Sequence, residues 1–130
     1  MPAETVDAQK PGVEPSTLFP VFLKLAGRRV VVVGAGPVAA SKLEGLLAAG
    51  ALVTVVAPDV VDDIARAPVD LVRRGFEPAD LDDAWYVVAA APPAINRAVA
   101  EAASARRLFV NAVDDPANAS VYLGAVVRRD

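Results

Sequence analysis

The apolar residues of this chain fall into two textures. Five short, largely apolar stretches predict strands: Arg29 to Val33 (RVVVV), Ala51 to Ala57, Val69 to Arg73, Trp85 to Ala91 and Leu108 to Val113, the first of them β-branched and without alternation of polar and apolar positions. Unbroken, β-branched runs of this length predict strands buried on both faces, as in a parallel sheet. Between the first two runs, Val38, Ala39, Leu43, Leu46 and Leu47 recur at helical spacing. They predict a helix from Val38 to Ala49, with Gly50 at the place of a C-terminal cap. Val60 to Ala67 predicts a short helix, and the alanine-rich Ile95 to Ala105 a longer one. Strands that alternate with helices imply right-handed crossovers and one open parallel sheet. The expectation is an α/β, Rossmann-like domain of about five strands from Arg28 to Val113, with helices on both faces.

The ends read differently. Residues 1–16 are polar, hold three prolines and show no period, which predicts a disordered tail. The stretch "TLFPVFLKLAGR" is a short apolar entry into the first strand. The expected division is a tail at 1–16, the domain at 17–113 and a further segment at 114–130.

Composition narrows the chemistry. Among 130 residues there is no Cys and no His. That excludes a thiolate nucleophile, a Ser-His-Asp triad, an imidazole acid or base and the usual nitrogen- and sulfur-ligated zinc site, so no metal site is assigned. Proton transfer must fall to carboxylates, Lys, Tyr or a cofactor. A net charge of -3 and scattered arginine pairs give no footprint for nucleic acid. No apolar run reaches the ~18 to 20 residues that span a bilayer. Without a charged and then apolar leader pattern at the N-terminus, a cytoplasmic location is expected.

The first predicted strand runs into "GAGPVA", a turn of the form G-x-G-x-x-A. Tight turns and close helix packing also select glycine, so the motif alone is weak. Its context, a buried strand before and an amphipathic helix after, is that of a dinucleotide site. There Gly34 permits the turn, Gly36 lets the backbone approach a pyrophosphate, and Ala39 lets the helix lie close to the sheet. Pro37 suits a first helical turn, where its missing N–H was unpaired anyway. The acid expected about 20 residues past the glycines is replaced by Ala57, with Asp59 two positions later. Asp59 either reaches a ribose from the loop or caps the next helix. The nearest following base is Arg66, which favours NAD over NADP.

Three segments, "LFPVFLKLAGRRVVVVGAGPVAASKLEGLLAAGALVTVVAPD", "WYVVAA" and "LFVNAVDDP", together resemble the N-terminal module of siroheme synthases and the stand-alone precorrin-2 dehydrogenases. The similarity spans about Leu18 to Val127. It implies a Rossmann domain followed by a small dimerisation region, a homodimer, and NAD-dependent dehydrogenation of precorrin-2 to sirohydrochlorin, often followed by insertion of ferrous iron. Carried over residue by residue, the resemblance places NAD contacts on Pro37 and Val38 after the glycines, and on Pro58 and Asp59 after the second strand. It places the essential carboxylate on Asp114.

Independently of the resemblance, Asp114 ends the fifth predicted strand, at the edge where open α/β sheets bind ligands. Partial burial beside Asp115 would suit it to proton transfer. The competing reading is that "DDP" is only a turn. Two departures from the family stand out: "AAAPPAIN" replaces a Thr followed by acidic or amide residues after the fourth strand, and "SVYLGA" replaces Ser-Phe-Ile-x-Pro. The chain also ends at Asp130, so only the start of a dimerisation region is expected. Two classes remain open, a precorrin-2 dehydrogenase and a noncatalytic nucleotide-binding or redox-sensing module.

Overall fold

The computed structural model describes residues 17–122. The strands are β1 (Arg29–Val33), β2 (Leu52–Val56), β3 (Asp70–Val72), β4 (Tyr86–Ala89) and β5 (Val110–Ala112). They form one sheet in the order β3-β2-β1-β4-β5, and every pair is parallel. Val31 of β1 lies in register with Thr54 of β2 on one side and Val87 of β4 on the other. The chain winds outward from β1 to β3, then crosses back to build β4 and β5 on the other side. The order therefore reverses between β1 and β4, and that crevice is where open α/β sheets take ligands.

The valine runs lack alternation because both faces are covered. On one face Val30, Val32, Val53, Val55, Tyr86 and Val88 meet Ala39, Leu43 and Leu46 of helix α1 (Pro37–Ala48) and Ile64 of α2 (Asp62–Ala65). On the other, Val31, Val33, Val87, Ala89 and Val110 meet Val99, Ala102 and Ala103 of α3 (Pro93–Ala105). A strand so enclosed has no solvent face on which to place a polar residue. Ala39 is fully buried, and its single methyl lets α1 lie close on the sheet. Gly50, at φ +81°, closes α1 in the left-handed region, its N–H donating to the Leu47 carbonyl at 3.0 Å.

The structure departs from the pattern reading in four places. The strands after β1 are shorter than the stretches that predict them, because flanking residues such as Ala57 and Val113 keep single backbone bonds but leave the ladder. Val38 points outward, 47% exposed, and is no part of the core. A 3₁₀ turn at Pro78–Leu81 was not signalled by periodicity; it is closed by the Glu77 N–H donating to Asp80 Oδ2 at 2.8 Å. Finally, the scattered arginines supply specific contacts. Arg74 grips Asp80 with both terminal nitrogens, at 2.9 and 2.6 Å, and holds that carboxyl below its usual range. Arg106 Nε meets Asp82 Oδ1 at 3.0 Å, and Arg29 reaches the Asp80 carbonyl at 2.9 Å. These contacts pin the β3–β4 connection under the sheet. Trp85, which precedes β4, is 60% exposed, and the Arg28 guanidinium stacks on its ring at 3.8 Å. The tail at 1–16 and the pair Arg128 and Arg129 lie outside the described residues.

Tyr86 is buried, and burial pushes its phenol up to about 12. An acid raised above its unfolded value of about 10 contributes stability that is complete below pH 10 and lost as pH rises through about 12. Urea unfolding of the wild type between pH 9 and 12 should show that loss, of order 2 kcal/mol. The Tyr86→Phe protein, which has no phenol to ionise, should show a shallower decline over the same window.

Candidate functional site

Four connections meet at the carboxyl edge of the sheet: those after β1, β2, β4 and β5. After β1 the chain turns at Gly34, whose φ of +110° belongs to glycine and whose N–H donates to the Val56 carbonyl at 2.9 Å. A Cβ there would overlap the Ala90 carbonyl oxygen in the connection after β4. Gly34 thus serves the fold. Gly36 is different: it is the N-cap of α1 in an ordinary extended conformation, φ -92°, and a Cβ on it would meet nothing within 4 Å. The space above Gly36 is open.

Around that space are the free donors of a helix start. Pro37 occupies the first helical position and has no N–H. Ala40 N–H is the first to find a carbonyl, that of Gly36, at 3.0 Å, so Val38 and Ala39 present N–H groups at the positive end of the helix dipole. Open backbone, free N–H groups and a helix N-terminus suit a pyrophosphate. Val38, expected as a cofactor contact, stands exposed beside this opening, as does Pro37. Pro58 and Asp59 follow β2 on the same edge, both exposed. Helix α2 starts with Val61 as its N-cap, so the alternative role of Asp59 as a helix cap is not what the structure shows. Arg66, the nearest following base, pairs with Asp63 at 3.5 Å.

Asp114 also comes to this edge. The Asp115 N–H donates to the Ala112 carbonyl at 3.2 Å, closing a turn in which Asp114 has φ +55°. Asp tolerates the left-handed region better than most residues, so the turn reading of "DDP" describes the backbone correctly. The side chain, however, is exposed and makes no hydrogen bond or ion pair among the described residues. The partial burial expected of it is absent. It is Asp115 that is held, accepting from Asn118 Nδ2 at 2.9 Å and from Asn96 Nδ2 at 3.3 Å. Asn96 was missed by the pattern reading, although a polar residue in the buried stripe of α3 with Val99 and Ala102 is a usable signal. Asn111 was missed too: it ties β5 to the following chain through the Val121 carbonyl at 3.1 Å. Among the described residues, no three His, Cys, Asp or Glu side chains gather as a metal site. No helix among them is long and apolar enough to cross a membrane.

Residues 21–125 match the family model NAD_binding_7, described as "Putative NAD(P)-binding". The chain belongs to this family. It is 46% identical over 120 residues to the siroheme synthase of Xylella fastidiosa (strain M12), a match that takes in 88% of this chain and 25% of that one. With the siroheme synthase of Chromobacterium violaceum it shares 45% over 118 residues, 84% of this chain and 24% of the relative. Among solved structures it resembles "SirC, precorrin-2 dehydrogenase", with a TM-score of 0.68 and 29% identity over 82% of this chain and 54% of that chain. The chain thus spans about a quarter of the length of the siroheme synthases and about half of SirC. The expected family and the Rossmann-like parallel sheet are both found. The open cradle at Gly36 fits the family's nicotinamide dinucleotide on the chain's own geometry.

The two glycines should separate by experiment. Gly34→Ala forces a side chain against the Ala90 backbone at a positive φ and should lose about 2 to 4 kcal/mol in urea unfolding. Gly36→Val should fold with near-native stability yet lose dinucleotide binding by titration calorimetry, because its branched side chain fills the space a pyrophosphate needs. A Gly36→Val protein that binds like the wild type would place the ligand elsewhere.

Proposed function

We propose that this domain binds NAD and carries the NAD-dependent dehydrogenation of precorrin-2 to sirohydrochlorin in sirohaem synthesis. The observation that supports the reading is that the open cradle at Gly36, beside the β1–β4 crevice, and the Asp114 carboxylate, unengaged among the described residues and following β5, lie on the same carboxyl edge of the sheet. The names of the relatives supply the substrate: siroheme synthase and precorrin-2 dehydrogenase. Gly36, Pro37 and Val38 would hold the pyrophosphate side of the cofactor, and Pro58 and Asp59 its adenosine ribose. When bound, the nicotinamide supplies a hydride acceptor.

Asp114 would take the proton that leaves the macrocycle. Its side chain faces solvent and accepts no hydrogen bond among the described residues, so its oxygens are open to a substrate. The left-handed turn displays it at the tip of the β5 connection, clear of the sheet, where a large planar substrate could reach it. Insertion of ferrous iron would use the same carboxylate to accept pyrrole protons, with the metal as substrate. Assembly as a homodimer, with 114–130 beginning the dimerisation region, belongs to the same proposal. So does the placing of the domain at 17–113.

Preference for NAD follows from the charge around the ribose position. Asp59 would hydrogen-bond ribose hydroxyls and repel a 2′-phosphate, and Arg66 is engaged by Asp63. Calorimetry should therefore give tighter binding of NAD than of NADP, and Asp59→Asn should narrow the gap. Equal or tighter binding of NADP by the wild type would reject this assignment.

One feature favours a second reading, a nucleotide-binding module without catalysis. The connection Ala90–Ala91–Pro92 offers the crevice no hydroxyl or charge. Asp114→Asn decides between them, since Asn keeps the turn and removes the base. For a dehydrogenase, precorrin-2 oxidation in the full-length protein should fall by ~10² to 10⁴ with NAD affinity unchanged. Undiminished turnover would remove Asp114 from the chemistry, and a wild type that binds NAD without oxidising precorrin-2 would support the binding module.

A further inference from the structure

The connection after β4 and the connection after β5 are joined by one buried side chain. Asn96, on the first turn of α3, is 2% exposed and shares its face with the apolar Val99, Ala102 and Ala103. A primary amide so enclosed must find hydrogen-bond partners within the protein. It finds them on two separate segments. Its Oδ1 accepts from the Ala91 N–H at 3.1 Å, and its Nδ2 donates to Asp115 Oδ2 at 3.3 Å. The orientation of the amide is unambiguous, since an N–H can only donate and a carboxylate can only accept.

We propose that Asn96 is a positioning residue that fixes where the Asp114 carboxylate stands. The inference rests on the reading of Asp114 as proton acceptor. The contacts form a continuous series. The backbone of Gly34 lies against the Ala90 carbonyl, Ala91 bonds Asn96, and Asn96 bonds Asp115. Asp115 is gripped a second time by Asn118, and its own N–H closes the turn that sets Asp114 at φ +55°. The glycine turn and the carboxylate are thus referenced to each other through Asn96. Among the described residues nothing tethers the Asp114 side chain, so its aim depends on the residue that follows it. Misplacing a reacting group by about 1 Å can cost on the order of 10² in rate without weakening binding.

The test exchanges the two side chains in the full-length protein. Asn96→Asp keeps the bond to Ala91 but sets a second carboxylate against Asp115. Its kcat for NAD-dependent precorrin-2 oxidation should fall by ~10 to 10² while KM and NAD affinity hold. Asn96→Asp combined with Asp115→Asn restores a donor facing an acceptor, with Asn118 turning its amide to accept, and should recover most of the lost kcat. A purely structural Asn96 would move the thermal midpoint and all the kinetic constants together, and the exchange would not repair kcat selectively. If Asn96→Asp alone does not fold, the double variant decides: folded and active supports the inference, folded and slow overturns it. A folded Asn96→Asp protein with wild-type kcat also overturns it. A wild type that never oxidises precorrin-2 would instead remove the proposed function, and this inference with it.

Discussion

The contact between the Gly34 backbone and the Ala90 carbonyl governs the functional edge of this domain. The first strand and the fourth lie side by side, and the connections that leave them must pass within a distance that admits no Cβ. Because Gly34 takes φ +110°, the chain can leave β1 abruptly and enter α1 with its N-terminus over the crevice. Because it has no side chain, the β4 connection can close in beside it. Without that approach the crevice would be wider, and the helix start, Ala91 and Asn96 would not share one edge.

Burial on both faces is the complementary condition. The valines of β1 are enclosed by α1 and α2 on one side and by α3 on the other, and the sheet order that results puts the reversal between β1 and β4. Among the described residues no charged side chain is buried in this core. Among the described residues the buried polar side chains are Asn96 and Asn111, and each joins β5 or its flanking turn to another segment. Charged contacts lie at the periphery, where Arg74 and Arg106 hold the β3–β4 connection through Asp80 and Asp82.

Much of this was legible in the residue pattern. The bounds of β1 agree with the unbroken run Arg29 to Val33, and Pro37 and Gly50 mark the two ends of α1. These features are local: a β-branched run, a proline without an N–H and a glycine at positive φ each state their conformation within a few residues. The site was legible in kind but not in detail. The glycine turn announced an anion cradle, yet assigning Gly34 to the fold and Gly36 to the open space required the position of Ala90, more than 50 residues away. Asp114 was expected to be partly buried, and it stands exposed because the carboxylate held by amides is that of its neighbour Asp115.

By itself the sequence determined the class of fold, the strand–turn–helix unit and the limits of the chemistry. Periodicity, turn residues and the absence of Cys and His act through short range or through composition, and neither depends on how the chain is wound. Only the tertiary structure decided that Val38 faces solvent, that Asp59 caps no helix and that Asn96 links Ala91 to Asp115. The bond from Asn96 to Asp115 spans 19 residues. It exists because β4 and β5 are neighbours in the sheet, an outcome of packing two covered faces that no local preference along the chain records.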